Sequence, residues 1–378
     1  MERNLKVIYT NWDVLNNVEH AGFKKSYFKK YLKKYKRSDQ EIFVHATYIF
    51  EEVPKKAIEL AKQDSNFYIL LDDSMEGYAY YGFDRAFKFV LEHNLKNKVI
   101  YSTGLQDAET EYQAWLEQKN KEKLFYVWTH QSWYYRHADW VIDLEKNPKV
   151  DKNQYFICMN NRPRHHRLVS GVYMDYLNLL DKGIVSLNEQ NYEDPGTSTF
   201  ESMLLPHLNL YKDNYAEIIK NQWKITQPKL PLIVDNKNLH DKCMPSDLNP
   251  DLYDNTLINL VTETYYHFQY NKVSNLFITE KTWKPFTAYQ IPVIIGPKGE
   301  VDYLRCIGFD MFDDIIDHSY DSEPDSTRVF GAINALKETI EKYDVEELSK
   351  ITKERRIKNR ELYLSYLPID KPITEILC

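Results

Sequence analysis

The sequence predicts an α/β protein made of two parallel-sheet domains, and three observations carry that expectation. Its 378 residues exceed one ordinary domain and suit two. Apolar runs of about five residues alternate with amphipathic stretches along nearly the whole chain. A polar, Pro-containing segment, KNPKVDKN at 146–153, separates two such series.

In the first series the strands are expected at Leu5–Tyr9, Glu41–His45, Phe67–Leu71, Lys98–Tyr101 and Leu124–Trp128. Helix-like stretches fall at 53–63, 83–93 and 107–121. Strands joined through helices form βαβ units, because parallel neighbours need a long crossover. The second series places strands at Tyr155–Met159, Gly183–Leu187, Leu232–Asp235, Leu257–Thr262 and Ile291–Ile295. Its helices are expected at 164–181, 212–222, 279–289, 300–307, 326–342 and 345–366. The domains are therefore 1–148 and 149–378, and the last helix could return to the first of them. Residues 188–206 and 236–255, rich in Asn, Asp and Pro, read as long loops of the kind that border sites.

Composition excludes some classes. Hydrophobic residues make up 43 % and charged residues 28 %, as in ordinary globular chains. No run approaches the ~18 apolar residues of a membrane span, and the N-terminus lacks a secretory core. Cys158, Cys243, Cys306 and Cys378 form no CxxC pair, so the chain is read as cytoplasmic, in a reducing compartment. The 30 tyrosines suit wet clefts as well as cores.

The net charge of −7 argues against generic nucleic-acid binding, but the distribution is uneven. Residues 24–37, KKSYFKKYLKKYKR, hold eight Lys and Arg and no acid. Without those eight positive charges the remaining chain stands at about −15. Phe23, Tyr27, Phe28, Tyr31, Leu32 and Tyr35 recur at helical spacing, which leaves Lys25, Lys29, Lys30, Lys33 and Lys34 to contact a polyanion. An anionic membrane surface or a solvated helix face are the other readings of that stripe.

Three further constellations could carry chemistry. YFICMNNRPRHHRLVSG, 155–171, ends a strand in Asn160–Asn161 and then brings Arg162, Arg164 and Arg167 to a helix start. Such strand ends hold ligands in open α/β sheets, helix N-termini favour anions, and guanidinium forks match phosphate. His165–His166 has no partner at metal-ligand spacing. In NLFITEKTWKPFTAYQIPVIIGPKG, 275–299, Thr279 is a good N-cap ahead of Glu280 and Lys281, and Gly296 follows a strand. A glutamate there suits paired hydroxyls, a lysine suits a pyrophosphate, and a small residue admits close backbone approach. In FYILLDDSMEGYAYYG, 67–82, a buried strand delivers Asp72, Asp73 and Glu76, one of which could act as general base. Two weaker groups are His130, Arg136, His137 and Asp139, read as core or cleft lining, and the acidic run 310–325, read as a solvated loop.

The ordered set TEKTWKPF, IPVIIG and LRCIGF resembles the donor-binding region of the alpha-1,3-fucosyltransferase and exostosin-like glycosyltransferases. In that resemblance Glu263 of LVTETYY matches a first glutamate, Glu280 and Lys281 match a Thr-Glu-Lys helix, and Pro292–Gly296 match a strand end. NNRPRHHR is similar to an upstream phosphate-contacting loop, and the following GFDMFDDIIDHSYD looks like chains encoded by tailed bacteriophages. The likeness spans roughly 155–325, leaving the acceptor uninherited.

The resemblance implies a glycosyltransferase of the two-Rossmann-domain (GT-B) type, its domains facing a cleft. It would need no metal or cofactor beyond a nucleotide-sugar co-substrate. The donor-binding set is Asn161, Arg162, Arg164, Arg167, Glu263, Thr279, Glu280, Lys281 and Gly296, with the base among Asp72, Asp73 and Glu76. The acceptor is read as a hydroxylated base in double-stranded phage DNA, in the host cytoplasm, or else a surface glycan or lipid-linked sugar. A non-catalytic nucleotide- or glycan-binding virion component is the alternative from another class. No Walker loop occurs, so phosphoryl transfer is a poor rival.

Overall fold

The computed structural model describes residues 3–8, 40–47, 53–74, 77, 79–130, 148–160, 163–187, 200–234, 250–266 and 276–365. The chain forms two compact units. The first comprises Met1–Asp139, Asn275–Ile278 and Leu367–Cys378; the second comprises Trp140–Ser274 and Thr279–Tyr366.

The first unit is built on a five-stranded sheet of β1 (Arg3–Ile8), β2 (Gln40–Thr47), β3 (Phe67–Asp73), β4 (Val99–Thr103) and β5 (Tyr126–Thr129). The strands lie side by side in chain order and every neighbouring pair is parallel. Helices α1 (Lys55–Gln63), α2 (Ala79–His93) and α3 (Ala108–Lys119) make the connections that parallel pairing requires. β4 is buried throughout and β3 up to its last residue, which is why both read as unbroken apolar runs.

Phe83 of α2, Tyr112 and Trp115 of α3, Tyr101 of β4 and Phe125 form one aromatic cluster. Its ring centroids lie between 4.5 Å (Tyr112–Phe125) and 6.5 Å (Phe83–Phe125). Buried aromatics of this size dominate the energetics of a core. Gly82 makes the packing possible, since a Cβ there would stand 1.8 Å from the Tyr101 hydroxyl. The segment near 277 adds an antiparallel bridge, Leu105 to Phe277, and Gln106 N donates to Leu276 O at 2.9 Å.

The second unit holds a four-stranded parallel sheet of β6 (Gln154–Asn160), β7 (Gly183–Leu187), β8 (Thr256–Thr262) and β9 (Ile291–Ile295), in the order β7-β6-β8-β9. The chain steps from β6 to β7 on one side and later resumes at β8 on the other. The order therefore reverses between β6 and β8, and the carboxyl ends of those two strands open onto a topological switch point.

Its helices are α4 (His165–Tyr176), α5 (Asp213–Thr226), α6 (Glu280–Thr287), α7 (Glu300–Cys306), α8 (Asp325–Lys342) and α9 (Val345–Ser365). One core runs from Phe156 and Leu168 through Trp223 and Ile258 to Phe330 and Leu348. Tyrosines are part of it: Tyr320 is buried, and its hydroxyl accepts from Ile294 N at 3.0 Å. Several of the abundant tyrosines are thus core residues with a paired hydroxyl.

Three expectations change here. Of the strand expected at Leu232–Asp235, residues 232–234 form none, since Leu232 makes only an isolated antiparallel bridge to Leu187, and Asp235 lies outside the described residues. The end of the 188–206 loop is helical, as Phe200–Leu204 forms an α-turn and Leu205–Leu210 a 3-10 segment. Within 236–255, Pro250–Tyr253 forms a short helix. The final helix α9 belongs to the second unit and packs on α6; the chain beyond residue 365 lies outside the described residues.

Candidate functional site at the carboxyl ends of β6 and β8

Glu263 follows directly on β8 and is fully buried. A buried carboxylate needs several donors, and it has four. Oε1 accepts from Thr279 N at 3.0 Å and from Thr282 Oγ1 at 2.8 Å. Oε2 accepts from Thr279 Oγ1 at 2.6 Å and from Thr264 N at 2.8 Å. The carboxylate thereby fastens the start of α6 to the end of β8.

The other end of α6 is fixed from α9. Arg360 Nη1 donates to Thr287 O at 3.0 Å and Arg356 Nη1 to Tyr289 O at 2.7 Å, placing cations where a helix dipole is negative. Trp283 and Phe286 are buried against Phe309, and Trp283 also meets Tyr363, with centroids 4.2–6.0 Å apart. These aromatics are core, so the helix is immobilised on one face and presents its first turn at the switch point.

That first turn carries Glu280 and Lys281. Thr279 caps it, its hydroxyl accepting from Lys281 N at 3.4 Å. Lys281 Nζ donates to Glu280 Oε1 at 3.1 Å, Thr279 Oγ1 at 3.1 Å and Thr264 Oγ1 at 3.2 Å. Glu280 is only 3 % exposed, and among the described residues its Oε2 has no hydrogen-bond partner. Burial alone would raise this carboxyl, but Lys281 and Lys284 together with hydrogen bonds outweigh it and hold Glu280 below its ordinary value. An ionised, buried carboxylate oxygen, unpaired among the described residues, therefore stands at the start of a helix.

Arg167, on α4, is buried, and its Nη2 donates to Thr262 O at 3.2 Å and Glu263 O at 3.3 Å. Burial and then Arg164 pull it down to about 10, while Glu263 and Glu280 act in the opposite sense. The four side chains thus share one electrostatic neighbourhood. Arg164 is the N-cap residue of α4 and half-buried; its carbonyl accepts from Leu168 N at 2.9 Å, and its guanidinium makes no hydrogen bond or ion pair among the described residues.

His166 contacts Glu263 O through Nε2 at 2.9 Å and stacks on Tyr266 at 5.3 Å. Burial, then Arg167 and His165, keep it neutral. Asn160, at the tip of β6, accepts from the Thr262 hydroxyl.

Gly296, at the end of β9, lets the wall of the site close. A Cβ there would lie 2.0 Å from Glu300 Oε2 and 3.3 Å from the Glu263 Cβ. Glu300 is fully buried and Thr282 Oγ1 lies 2.6 Å from its Oε1. Arg328, also buried, donates to Gly296 O, Tyr266 O and Asp325 Oδ1 at 3.1, 3.0 and 2.7 Å. Thr282, Glu300 and Arg328 escaped the sequence reading. Thr282 repeats Thr279 three residues on and Glu300 follows Gly296 by four, a weak signal that was available.

Of the residues expected to bind a donor, the structure brings together Arg164, Arg167, Glu263, Thr279, Glu280, Lys281 and Gly296. Asn161 and Arg162 lie outside the described residues. In the first unit Asp72 and Asp73 occupy opposite faces of β3. Asp72 Oδ1 accepts from Ser74 N at 3.1 Å, and Asp73 Oδ2 accepts from the Tyr101 hydroxyl at 2.7 Å. Burial raises Asp73, its Tyr101 bond lowers it, and Asp72 raises it again, with a net upward shift. Glu76 and the stripe Lys25, Lys29, Lys30, Lys33 and Lys34 are outside the described residues, as are Arg136, His137 and Asp139. His130 is buried and stacked on Trp128 at 4.7 Å, as a core residue is.

The acidic run is tied down by arginines. Arg355 binds Asp310 and Asp314, and Arg305 binds Asp302 and Asp313. Among the described residues no group of three or more His, Cys, Asp or Glu is placed to hold a metal ion. Among them, too, no helix is long and apolar enough to cross a membrane.

The chain is thus an α/β protein with two parallel sheets, the second of which reverses its order at β6, with buried arginine, lysine and glutamate side chains gathered at the ends of β6 and β8. No protein-family model matches the chain, and no curated protein matches it. Among solved structures it is similar to a glycosyltransferase from Rickettsia africae ESF-5, at 11 % identity and a TM-score of 0.33, over 99 % of this chain and 97 % of that one. A likeness of that degree assigns no activity, so what the chain does is read from the site.

Proposed function

We propose that the chain is a glycosyltransferase whose second unit binds a nucleotide-sugar donor at the carboxyl ends of β6 and β8. The observation that carries this reading is the buried Oε2 of Glu280, unpaired among the described residues and close to Lys281 and Arg167, with Arg164 acting on Arg167 in turn. A carboxylate in that position accepts from paired ribose or sugar hydroxyls. The guanidinium of Arg164 at the start of α4, unpaired among the described residues, suits the diphosphate, as does the ammonium of Lys281 at the start of α6. Glu263, whose oxygens are filled by protein donors, holds the site in shape.

In the reaction an acceptor oxygen attacks the anomeric carbon as the bond from that carbon to the diphosphate oxygen breaks. The acceptor's proton passes to a carboxylate, and the charge on the departing nucleoside diphosphate is offset by the cations. Asp73, raised by burial and fixed by Tyr101, is the base we assign. The two units would then be the halves of a two-Rossmann-domain transferase. For the acceptor we favour a hydroxylated DNA base, on the strength of the eight-cation run at 24–37 in an otherwise acidic chain.

The test is a melting-temperature panel of UDP-, GDP-, CMP- and dTDP-sugars on the wild type, Arg164→Ala and Glu280→Gln. One donor class should raise the wild-type midpoint by binding linkage and do so far less in either variant. If no donor moves the wild type, or if both variants respond as it does, the assignment is wrong. For the acceptor, replacing Lys29, Lys30, Lys33 and Lys34 by Gln should weaken DNA binding and flatten its salt dependence; unchanged binding removes DNA from the reading.

A further inference from the structure

Thr282 Oγ1 lies 2.8 Å from Glu263 Oε1 and 2.6 Å from Glu300 Oε1, yet a threonine hydroxyl has a single proton to donate. Were both carboxyls ionised, one of these two short contacts would set lone pair against lone pair. The arrangement therefore requires one more proton. Glu263 is the poorer place for it, because two of its four contacts are backbone N–H groups, which can only donate and favour the ionised form. Glu300 is the better one: among the described residues its Oε1 meets only the Thr282 hydroxyl, and its Oε2 is buried against Gly296 with no partner. An unpartnered oxygen is far less costly on a neutral acid than on a carboxylate.

We infer that Glu300 is a protonated positioning residue whose O–H donates to Thr282, so that Thr282 in turn donates to Glu263 and fixes the Thr279–Lys281 end of α6. The groups around Glu300 support the assignment. Glu263 after β8 and Asp321 of the 3-10 turn Ser319–Ser322 face it as acids, and Tyr320 lies beside them. Arg328 of α8 is the one cation with a resolved influence, and its guanidinium is engaged by Gly296, Tyr266, Glu323 and Asp325. Burial and then Glu263 push Glu300 well above the ordinary glutamate range, against the lowering effect of Thr282. The inference rests on the proposed function only in that the end of α6 held this way is the one assigned to the donor.

The sign of the pH dependence follows. The folded chain keeps the proton where the unfolded chain has lost it. Stability is therefore full below the ordinary glutamate value and declines as pH rises toward the raised one, by up to about tenfold in the folding equilibrium per pH unit. Glu300→Gln keeps the shape and a donor to Thr282 but cannot ionise.

The experiment compares the full-length wild type with Glu300→Gln and Thr282→Val. A wild-type minus Glu300→Gln infrared spectrum at neutral pH should show a protonated carboxylic acid band. The wild type should lose stability relative to Glu300→Gln as pH rises. Amide exchange at 279–281 should be faster in Thr282→Val and unchanged in Glu300→Gln. A carboxylate band in place of the acid band, or parallel stability curves, overturns the protonation. Exchange at 279–281 that is unaltered in Thr282→Val overturns the positioning role. None of these readouts uses a ligand, so they stand apart from a failure of every nucleotide-sugar to bind.

Discussion

Thr279 is joined to Glu263 twice, its N–H at 3.0 Å from Oε1 and its hydroxyl at 2.6 Å from Oε2. One residue therefore caps a helix and clamps it to a strand end 16 positions earlier. Glu263→Ala removes the acceptor for Thr264 N, Thr279 N and two hydroxyls at a fully buried point. Stranding several buried donors should destabilise the second unit by about 3 kcal/mol or more. Glu263→Gln keeps one carbonyl oxygen and should lose about half as much. Denaturant unfolding of the two variants checks the order, and equal loss in both would show that charge matters more than acceptor count.

Gly296→Ala tests the closure of the same wall. The added Cβ would meet Glu300 Oε2 at 2.0 Å, so the buried carboxyl would have to shift. An overpacked core position of this kind should cost about 1–3 kcal/mol. The collision needs the Glu300 carboxyl, so Gly296→Ala on a Glu300→Ala background should cost much less than on the wild type. A double-mutant cycle by chemical unfolding measures the coupling; additive losses would mean that Gly296 is required for its backbone alone.

Much of this architecture was legible beforehand because it is written in local patterns. Strands Gly183–Leu187 and Ile291–Ile295 appear with the predicted bounds; the second is buried throughout and reads as an unbroken apolar run, while the first buries only its last three residues. Helices such as α8, expected over 326–342, follow from amphipathic spacing. Leu232–Asp235 has the same apolar look, but only a bridge to Leu187 is available to it.

In the site, Thr279, Glu280 and Lys281 could be read from cap chemistry, and Arg164 from its place after a strand. The partners that decide what those residues do could not. Thr282 and Glu300 meet across 18 positions, Glu263 and Thr279 across 16, and Arg356 reaches Tyr289 across 67. Such contacts depend on sheet order, and the reversal at β6 leaves no mark in residue spacing.

Lys152 supplies a pH dependence away from the candidate site. Its ammonium is buried, donating to Tyr253 O at 2.8 Å and Asp254 O at 3.3 Å. Burial, and then the neighbouring Arg356, lower it to about 7. The unfolded chain holds that proton up to the ordinary lysine value, so between the two values it binds more protons than the folded chain. Stability should rise with pH across this window, by up to ~1.4 kcal/mol per unit, and fall as pH drops back toward 7. Lys152→Met should lack that slope, and a wild type whose melting temperature runs parallel to the variant's through mildly alkaline pH would place the lysine in water instead.

Asp73 and Tyr101 give a kinetic test of the proposed base. The Tyr101 hydroxyl bonds the carboxylate at 2.7 Å and opposes the upward push of burial. Tyr101→Phe deletes that bond and leaves the ring in its aromatic cluster, so folding should weaken by only about 1 kcal/mol. With the lowering contact gone, Asp73 should ionise at higher pH than in the wild type. A general base works when ionised, so sugar transfer should rise with pH and its acid limb should move to higher pH in Tyr101→Phe. Asp73→Asn should abolish the limb together with most of the activity. Should the acid limb stay fixed in Tyr101→Phe while persisting in Asp73→Asn, the base is another carboxylate, and Asp72 or Glu76 would be the next to replace.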